Sequence, residues 1–335
     1  MIKTSTKMLM MITLLFSTCM VISSENWLSM WMGLEINMMS FIPLMEKSKN
    51  YLSSESKMMY FLIQSLGSIM FMFMIISNPL IMIEESMVEK IAMNIISMSM
   101  MMKMGMSPMH MWFINIMNKM SWKNCLILMT WQKIAPMSIL TYTSMNIMMI
   151  TFWSIISIMI GAIGGINQTS IKKILAFSSV NHLGWMTMCM NYDKEMWMKY
   201  LIIYSIIIIM LISILSKSST NYISQMNMNM KTPMEKINLL MLMLSLGGLP
   251  PFIGFLPKWI VIQSLINSNS ILIILIMMMF SMITLFYYMR MIIPTILSNN
   301  IMNKWNMKNI YSKKTYMIMF IINMMLPISM IINMY

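Results

Sequence analysis

Four charged residues, Glu35, Lys103, Lys133 and Lys258, lie inside long apolar segments of the sequence. A charged side chain at the centre of a membrane helix costs roughly 2.5 to 3.5 kcal/mol on insertion scales, so it faces a protein interior or water and finds a partner. Desolvation neutralises a buried lysine, and a nearby carboxylate restores its charge. Because a Glu–Lys pair that moves apart can load and release a proton, we predict that these four residues form a proton relay.

Each of these charges also has a simpler explanation. Lys103 and Lys258 could extend their long side chains to a membrane surface. Glu35 and Lys133 stand near the centres of their segments, so for them a static ion pair is the better alternative.

The two histidines are further candidates for the relay. His110 follows the sequence Gly105-Met-Ser-Pro108, and His182 lies among serines in Ser178–Trp185. Histidine titrates near neutrality and can join a chain of hydroxyls and water, although a hydrogen bond that packs two helices is the alternative. No second ligand stands at helical spacing from either histidine, so we predict no metal site.

The composition indicates which elements hold these residues. Apolar residues make up 59% of the 335 residues, charged residues make up 10%, and the mean hydropathy is +0.72. A typical soluble domain has roughly a quarter charged residues, so an ordinary soluble fold is excluded. We predict one all-α integral membrane domain over residues 1–335. Cys19, Cys125 and Cys189 are widely spaced and are expected to be small core residues.

A spanning helix needs about 20 mostly apolar residues, and eleven segments of the sequence meet this requirement. They cover residues 7–24, 26–45, 57–77, 87–117, 122–145, 147–167, 170–190, 197–217, 236–266, 270–293 and 315–334.

The distribution of charge between these segments supports eleven crossings. With eleven spans, the side that holds the amino terminus carries 17 basic and 3 acidic residues, and the other side carries 3 and 6. Basic residues accumulate on the side of synthesis, so the amino terminus is predicted there and the carboxyl terminus opposite. The net charge of +13 therefore reflects topology; the sequence has no basic helix with interleaved aromatics, and we predict no nucleic-acid partner.

Two of the eleven segments are too long for one crossing and contain helix breakers. The first holds Gly105 and Pro108, and the second holds Gly247, Gly248, Pro250 and Pro251. Proline removes a backbone donor, so both helices should be broken. They are the fourth and ninth spans, which predicts two five-helix repeats of inverted orientation, about 7–145 and 147–293, and a final helix at about 315–334.

The carbonyls at the predicted helix breaks affect the charged forms of two of the lysines. Lys103 directly precedes the first break, where the freed carbonyls of a helix end favour its ammonium form. Lys258 lies past the second break, so the same argument is expected to be weaker there.

Several motifs resemble one known family, the antiporter-like membrane subunit 2 of mitochondrial NADH:ubiquinone oxidoreductase (respiratory complex I), in its short animal form. The resemblance runs nearly end to end. It rests on Trp31–Asn37, Lys103–Pro108 with His110 and Trp112, Thr130–Pro136, Gly164–Gln168, Lys173–Ser179 with His182–Trp185, and Leu246–Pro251 with Gly254–Trp259.

The resemblance implies specific roles for the buried charges. Glu35 is the partner of Lys103, Lys133 is the central relay lysine, and Lys258 lies toward a neighbouring antiporter-like subunit, along a polar axis at the membrane midplane. The second repeat has no glutamate that matches Glu35. Its half-channel therefore cannot use the same Glu–Lys pair.

The resemblance also implies a place for the chain. It is a multi-pass protein of the mitochondrial inner membrane with its amino terminus in the matrix and its carboxyl terminus in the intermembrane space. Its partners are other membrane-arm subunits of complex I and the lipid bilayer. No cofactor is expected in this chain; NADH, flavin, iron–sulfur clusters and ubiquinone belong to other subunits.

Three functions remain open at this point. The chain could be a proton-translocating module of an NADH:ubiquinone reductase, an independent cation/proton antiporter, or a structural helix bundle with static charge pairs. Membership of a large complex that oxidises NADH separates the first from the second, and the phenotype of Lys133→Met separates the first from the third.

Overall fold

The fold was analysed in a computed structural model, which describes residues 2–45, 51–81, 87–143, 147–229, 233–268, 270–297 and 313–327. These ranges are α-helical and contain no β-strand, only an isolated bridge between Ser170 and Tyr222. The chain divides into two compact units, Met1–Trp153 and Ser154–Tyr335.

The described part of the first unit contains seven complete α-helices and a short 3-10 turn. In chain order these are α1 (Ile2–Ser23), α2 (Trp27–Leu44), α3 (Tyr51–Ile81), α4 (Met87–Met104), α5 (Met111–Lys119), α6 (Trp122–Met129), the 3-10 turn Trp131–Lys133, and α7 (Ile134–Tyr142).

Helices α1 and α2 form the closest pair in the first unit. Gly33 makes this possible, because a Cβ at that position would lie 2.5 Å from Val21 Cγ2. Small residues allow such close approach between membrane helices, where packing rather than the hydrophobic effect drives association. Helix α3 packs against α4 and α5, and α7 contacts α1, α2 and α4.

The second unit contains most of α8 and the seven helices that follow. They are α8 (Ile147–Ile166), α9 (Ile171–Met190), α10 (Met196–Ser218), α11 (Ile223–Asn229), α12 (Pro233–Gly247), α13 (Phe255–Asn267), α14 (Ile271–Leu297) and α15 (Lys313–Asn323).

Helix α9 forms the core of the second unit, since it is buried on nearly all sides. It packs against α10 and α13. Close contact with α8 depends on glycines of that helix; a Cβ at Gly161 would lie 2.7 Å from the backbone nitrogen of Asn181. Because α9 also carries serines, Asn181 and His182, the centre of this unit is polar as well as tightly packed.

Among the described residues, five helices are long and apolar enough to cross a membrane: Ser5–Ser23, Tyr51–Ser77, Met148–Ile166, Met196–Ser218 and Ile271–Leu297. Their outward faces are apolar, as lipid requires. On α14, for example, Leu272, Leu275, Met279, Met282 and Phe286 recur every three or four residues and are each at least 60% exposed. Cys19 lies on such an exposed face of α1, so its expected place in the core was wrong, whereas Cys125 and Cys189 are buried.

Helices occupy each of the eleven predicted segments, although the last lies partly outside the described residues. Several of these helices are short or carry polar side chains, so eleven crossings and inverted repeats stay predictions. The helix is interrupted between Met104 and Met111 and between Gly247 and Phe255. A third interruption, which the sequence analysis missed, divides the segment 122–145 at Thr130–Lys133.

Candidate functional site

The first helix break is organised by Gly105, which ends α4 in the left-handed conformation with φ of 72°. The Gly105 amide donates to the Met102 carbonyl over 3.1 Å, and the Met106 amide donates to the Met101 carbonyl over 3.0 Å. These two bonds form a glycine C-cap of the Schellman type. The Lys103 carbonyl lies at this helix end, and it accepts a 2.9 Å hydrogen bond from Gln64 Nε2 of α3.

One cavity in the first unit brings together Glu35, Lys103 and Lys133. Lys103 is 7% exposed and Lys133 is 1% exposed, so neither extends to a surface of this unit. The Glu35 carboxylate acts on the Lys103 ammonium through space. The cavity offers about 20 Å³ to the centres of water molecules, which is room for at least one ordered water among these polar groups.

Amide and phenol groups also line this cavity. Gln132 donates from Nε2 to Asn37 Oδ1 over 2.9 Å and accepts at Oε1 from the Tyr60 hydroxyl over 3.2 Å. Asn37 and Glu35 both belong to α2, and Gln132 directly precedes Lys133 in sequence. The hydrogen bonds of Gln132 therefore tie the segment that carries Lys133 to the helix that carries Glu35.

Lys133 ends the 3-10 turn that divides its span. Pro136 contributes to the irregular backbone, because it has no amide hydrogen to donate to Gln132 and its ring would clash with that residue's carbonyl in a regular helix. The Lys133 ammonium lies 5.9 Å from the centroid of the Phe113 ring, a distance at which an aromatic face attracts a cation.

The second break has the same backbone design as the first. Gly248 adopts φ of 81°, its amide donates to the Ser245 carbonyl over 3.0 Å, and the Leu249 amide donates to the Leu244 carbonyl over 3.3 Å. The prolines Pro250 and Pro251 follow in the exposed connection to α13, as Pro108 does in the connection between α4 and α5.

Lys258 is bound to this helix end. Its Nζ donates a 2.7 Å hydrogen bond to the carbonyl of Gly247, the last residue of α12, and the side chain is 3% exposed. The expectation that a helix-end interaction is weaker for Lys258 than for Lys103 was therefore wrong. Lys258 lies beyond the break in sequence, but α13 folds back so that its first turn reaches the end of α12.

The two histidines occupy different settings. His182 is 5% exposed, and its Nδ1 lies 2.9 Å from the Tyr200 hydroxyl. His110 is the N-cap residue of α5 and its Nδ1 lies 3.0 Å from the Pro108 carbonyl. It does not line the cavity of the first unit. Within the described ranges, no three His, Cys, Asp or Glu side chains cluster as metal ligands would.

Sequence reasoning missed the uncharged polar residues of both units. In the first unit, Tyr60 and Gln64 of α3 meet Gln132 of the 3-10 turn at the cavity. In the second unit, Tyr200 and Tyr204 of α10 surround the ring of His182. The only available signal was that Gln132 directly precedes Lys133.

Comparison with known proteins identifies the family of this chain. Residues 24–284 match the family described as "NADH:quinone oxidoreductase/Mrp antiporter, TM". The protein named NADH-ubiquinone oxidoreductase chain 2 from Anopheles gambiae is 42% identical over 93% of this chain and 92% of its own length. The protein of the same name from Bos taurus is 35% identical over 96% of each chain.

A solved structure shares the fold. A chain of respiratory complex I from Thermus thermophilus superposes with a TM-score of 0.79 at 19% identity, over 87% of this chain and 70% of that one. The family match covers most of the chain, and the relatives are similar along nearly their whole length. This chain therefore belongs to the NADH-ubiquinone oxidoreductase chain 2 family.

Proposed function

We propose that this chain is a proton-translocating membrane subunit of respiratory complex I in the mitochondrial inner membrane. The observation that carries the proposal is the cavity that Glu35, Lys103 and Lys133 line together. The name of the relatives supplies the driving reaction, electron transfer from NADH to ubiquinone. Other subunits carry out that redox chemistry and hold its flavin, iron–sulfur clusters and substrates, while this chain contributes to the enzyme as a proton pump.

The three charges of the first unit act in sequence. While Glu35 is near, its carboxylate stabilises the Lys103 ammonium. When the carboxylate moves away, the buried ammonium loses its counter-charge. The free-energy cost of a charged group in the protein interior is then no longer offset. The Lys103 proton then passes through water in the cavity to Lys133, whose amine accepts it.

The second unit uses a different means to hold a charged lysine. Lys258 donates to the Gly247 carbonyl at the carboxyl end of α12, where the helix dipole is negative. A helix end therefore takes the place of a glutamate that would match Glu35, and Lys258 passes its proton toward a neighbouring antiporter-like subunit.

The membrane topology in this proposal has eleven crossings, formed by two inverted five-helix repeats and a final helix. The amino terminus lies in the matrix and the carboxyl terminus in the intermembrane space. The shared glycine cap at Gly105 and Gly248 supports the repeat relation, and the bias of basic residues to one side supports the orientation. The outward apolar faces contact lipid and other membrane-arm subunits.

An independent cation/proton antiporter is the second candidate function. It is favoured by one observation, namely that the matching family also includes Mrp antiporters. An antiporter would exchange cations for protons in vesicles without NADH oxidation. Co-purification of the chain with NADH:ubiquinone oxidoreductase activity, and the absence of such exchange, would support the complex I assignment.

The central test is Lys133→Met in the assembled complex, with Lys123→Met as the matched control, because Lys123 is exposed on α6. Positioned proton-transfer groups contribute ~10²–10⁴-fold to the steps they serve. We expect Lys133→Met to leave assembly intact and to lower NADH-driven proton pumping and coupled electron transfer by at least about tenfold. The control should pump normally. Normal pumping by an assembled Lys133→Met complex would refute the relay and favour a structural helix bundle.

A further inference from the structure

The second unit contains a buried cluster of four tyrosines that the relay described above does not use. Tyr200, Tyr204, Tyr287 and Tyr288 are each no more than 2% exposed. The first two belong to α10 and the last two to α14. Four phenol groups in the core of one membrane unit are costly unless their hydroxyls find hydrogen-bonding partners.

The α10 tyrosines connect to the histidine of α9. The Tyr200 hydroxyl lies 2.9 Å from His182 Nδ1, and the Tyr204 ring centroid lies 4.8 Å from that of His182. Tyr204 also interacts with Ser179, one turn before His182 on the same helix.

The α14 tyrosines extend the cluster on the other side. The rings of Tyr287 and Tyr288 have centroids 4.7 Å apart. The Tyr288 hydroxyl lies beside Ser178 of α9, and it interacts with Tyr204 of α10. Phenol and serine hydroxyls from three helices therefore lie along one face of α9.

Two of these hydroxyls have only irregular hydrogen-bond geometry toward the described protein groups. The oxygens of Tyr287 and Tyr288 are buried, and they approach each other and Ser178 without a hydrogen bond of regular geometry to the described residues. Buried polar groups in folded proteins are nearly always paired, and where protein atoms do not pair them, ordered water does. An ordered water would complete the hydrogen bonding of the tyrosine cluster in the core of the unit.

The cluster also approaches the lysine of the second break. Trp185 follows His182 by one turn of α9, and the Lys258 ammonium lies 5.7 Å from the Trp185 ring centroid. The described acidic residues of this unit lie elsewhere: Asp193 and Glu195 are in the turn before α10, and Glu235 bonds the Tyr316 hydroxyl.

We propose that Tyr200, Tyr204 and Tyr288, together with His182 and bound water, form an uncharged hydrogen-bonded path that carries protons through the second unit to Lys258. This inference rests on the proposed pumping function. It states how protons reach Lys258 in the second unit, namely through hydroxyls and an imidazole.

The transfer conserves every O–H and N–H bond. A proton enters His182 at one ring nitrogen as another leaves Nδ1 for the Tyr200 oxygen. In the same step the phenol proton of Tyr200 moves to the next hydroxyl or water. Each group regains a proton as it releases one, so no oxidant or reductant is needed, and the last proton is taken up by the Lys258 amine.

The test uses Tyr204→Phe and Tyr288→Phe in the assembled complex, since each removes one hydroxyl and keeps the ring. The matched control is Tyr316→Phe, which removes a buried hydroxyl outside the cluster in the same unit. Two rates are measured, NADH-driven proton pumping and coupled electron transfer, each in H2O and in D2O. If one cluster variant fails to assemble, the other, which lies on a different helix, carries the test.

We expect both cluster variants to assemble, to pump about tenfold more slowly, and to show a larger ratio of the rates in H2O and D2O, because proton transfer becomes rate-limiting. Tyr316→Phe should change neither the pumping rate nor this ratio. Normal pumping by both cluster variants would overturn the proposal, as would slower pumping with the isotope ratio of the control. If Lys133→Met is defective while the cluster variants pump normally, only this inference fails; if Lys133→Met pumps normally, the proposed function fails.

Discussion

Gln132 is the residue that most directly connects the charged groups of the first unit. It accepts from Tyr60 and donates to Asn37, and so it fixes the backbone next to Lys133 relative to the helix of Glu35. An amide does not readily give up a proton, so Gln132 positions the relay and does not carry its charge. Its importance follows from geometry that only the folded chain provides.

Replacement of Gln132 tests this role. Gln132→Met removes both hydrogen bonds and leaves Asn37 and Tyr60 with unpaired groups, which costs about 1–3 kcal/mol for each buried group left unsatisfied. We expect a lower temperature of thermal inactivation and a lower coupled rate, measured on the purified complex. Gln263→Met is the control, because Gln263 is exposed on α13. A Gln132→Met complex as stable and as active as the control would contradict the positioning role.

The charged residues could be found from the sequence, whereas their uncharged neighbours could not. Glu35 and Lys133 stand out because charge is rare in apolar segments. Gln64 and Tyr200 do not, since such side chains also serve ordinary helix packing. Uncharged polar residues can also bond partners that are distant in sequence; Gln132 and Asn37, for example, are 95 positions apart.

At the scale of helices, α4 and α12 both end in a glycine cap before the break. The backbone carbonyls at these two helix ends accept hydrogen bonds from different donors. In the first unit the neutral amide of Gln64 bonds the Lys103 carbonyl. In the second unit Lys258 itself bonds the Gly247 carbonyl. The first arrangement leaves the Lys103 ammonium available to Glu35, and the second fixes a lysine to a helix end.

The two adjacent glycines at the end of α12 allow a matched test of the second arrangement. Gly248→Ala places a Cβ 2.8 Å from Lys258 Nζ on a residue with φ of 81°, and the left-handed conformation alone costs about 1–2 kcal/mol for a non-glycine residue. We expect faster thermal inactivation and slower pumping by the purified complex. Gly247→Ala should be tolerated, because the nearest atom would lie 3.5 Å from its Cβ. Equal behaviour of the two variants would argue against the cap.

The sequence predicted two of the three helix interruptions. Glycine and proline stand together at Gly105–Pro108 and at Gly247–Pro251, and both glycines with positive φ fall in these groups. The interruption at Thr130–Lys133 has only Pro136, and a lone proline is compatible with a simple kink. Packing decides between a kink and a 3-10 turn, and the hydrogen bonds of Gln132 are part of that packing.

At the scale of the whole molecule, the charge bias predicts one orientation in the membrane. Because 17 basic residues fall on the side of the amino terminus, we expect that side to face the matrix. Protease treatment of mitochondria with a ruptured outer membrane and an intact inner membrane checks this. The carboxyl terminus should be digested and the amino terminus protected. Digestion of the amino terminus, or protection of both ends, would contradict the orientation with eleven crossings.

The central claim is that Glu35, Lys103 and Lys133 share a hydrated path through the first unit. The most direct measurement is a structure of the assembled complex at a resolution that shows ordered waters. We expect water within hydrogen-bonding distance, roughly 2.7–3.2 Å, to link the Lys103 and Lys133 ammonium groups through the cavity beside Gln132. A dry gap between the two lysines, closed by apolar side chains in every functional state, would contradict the claim.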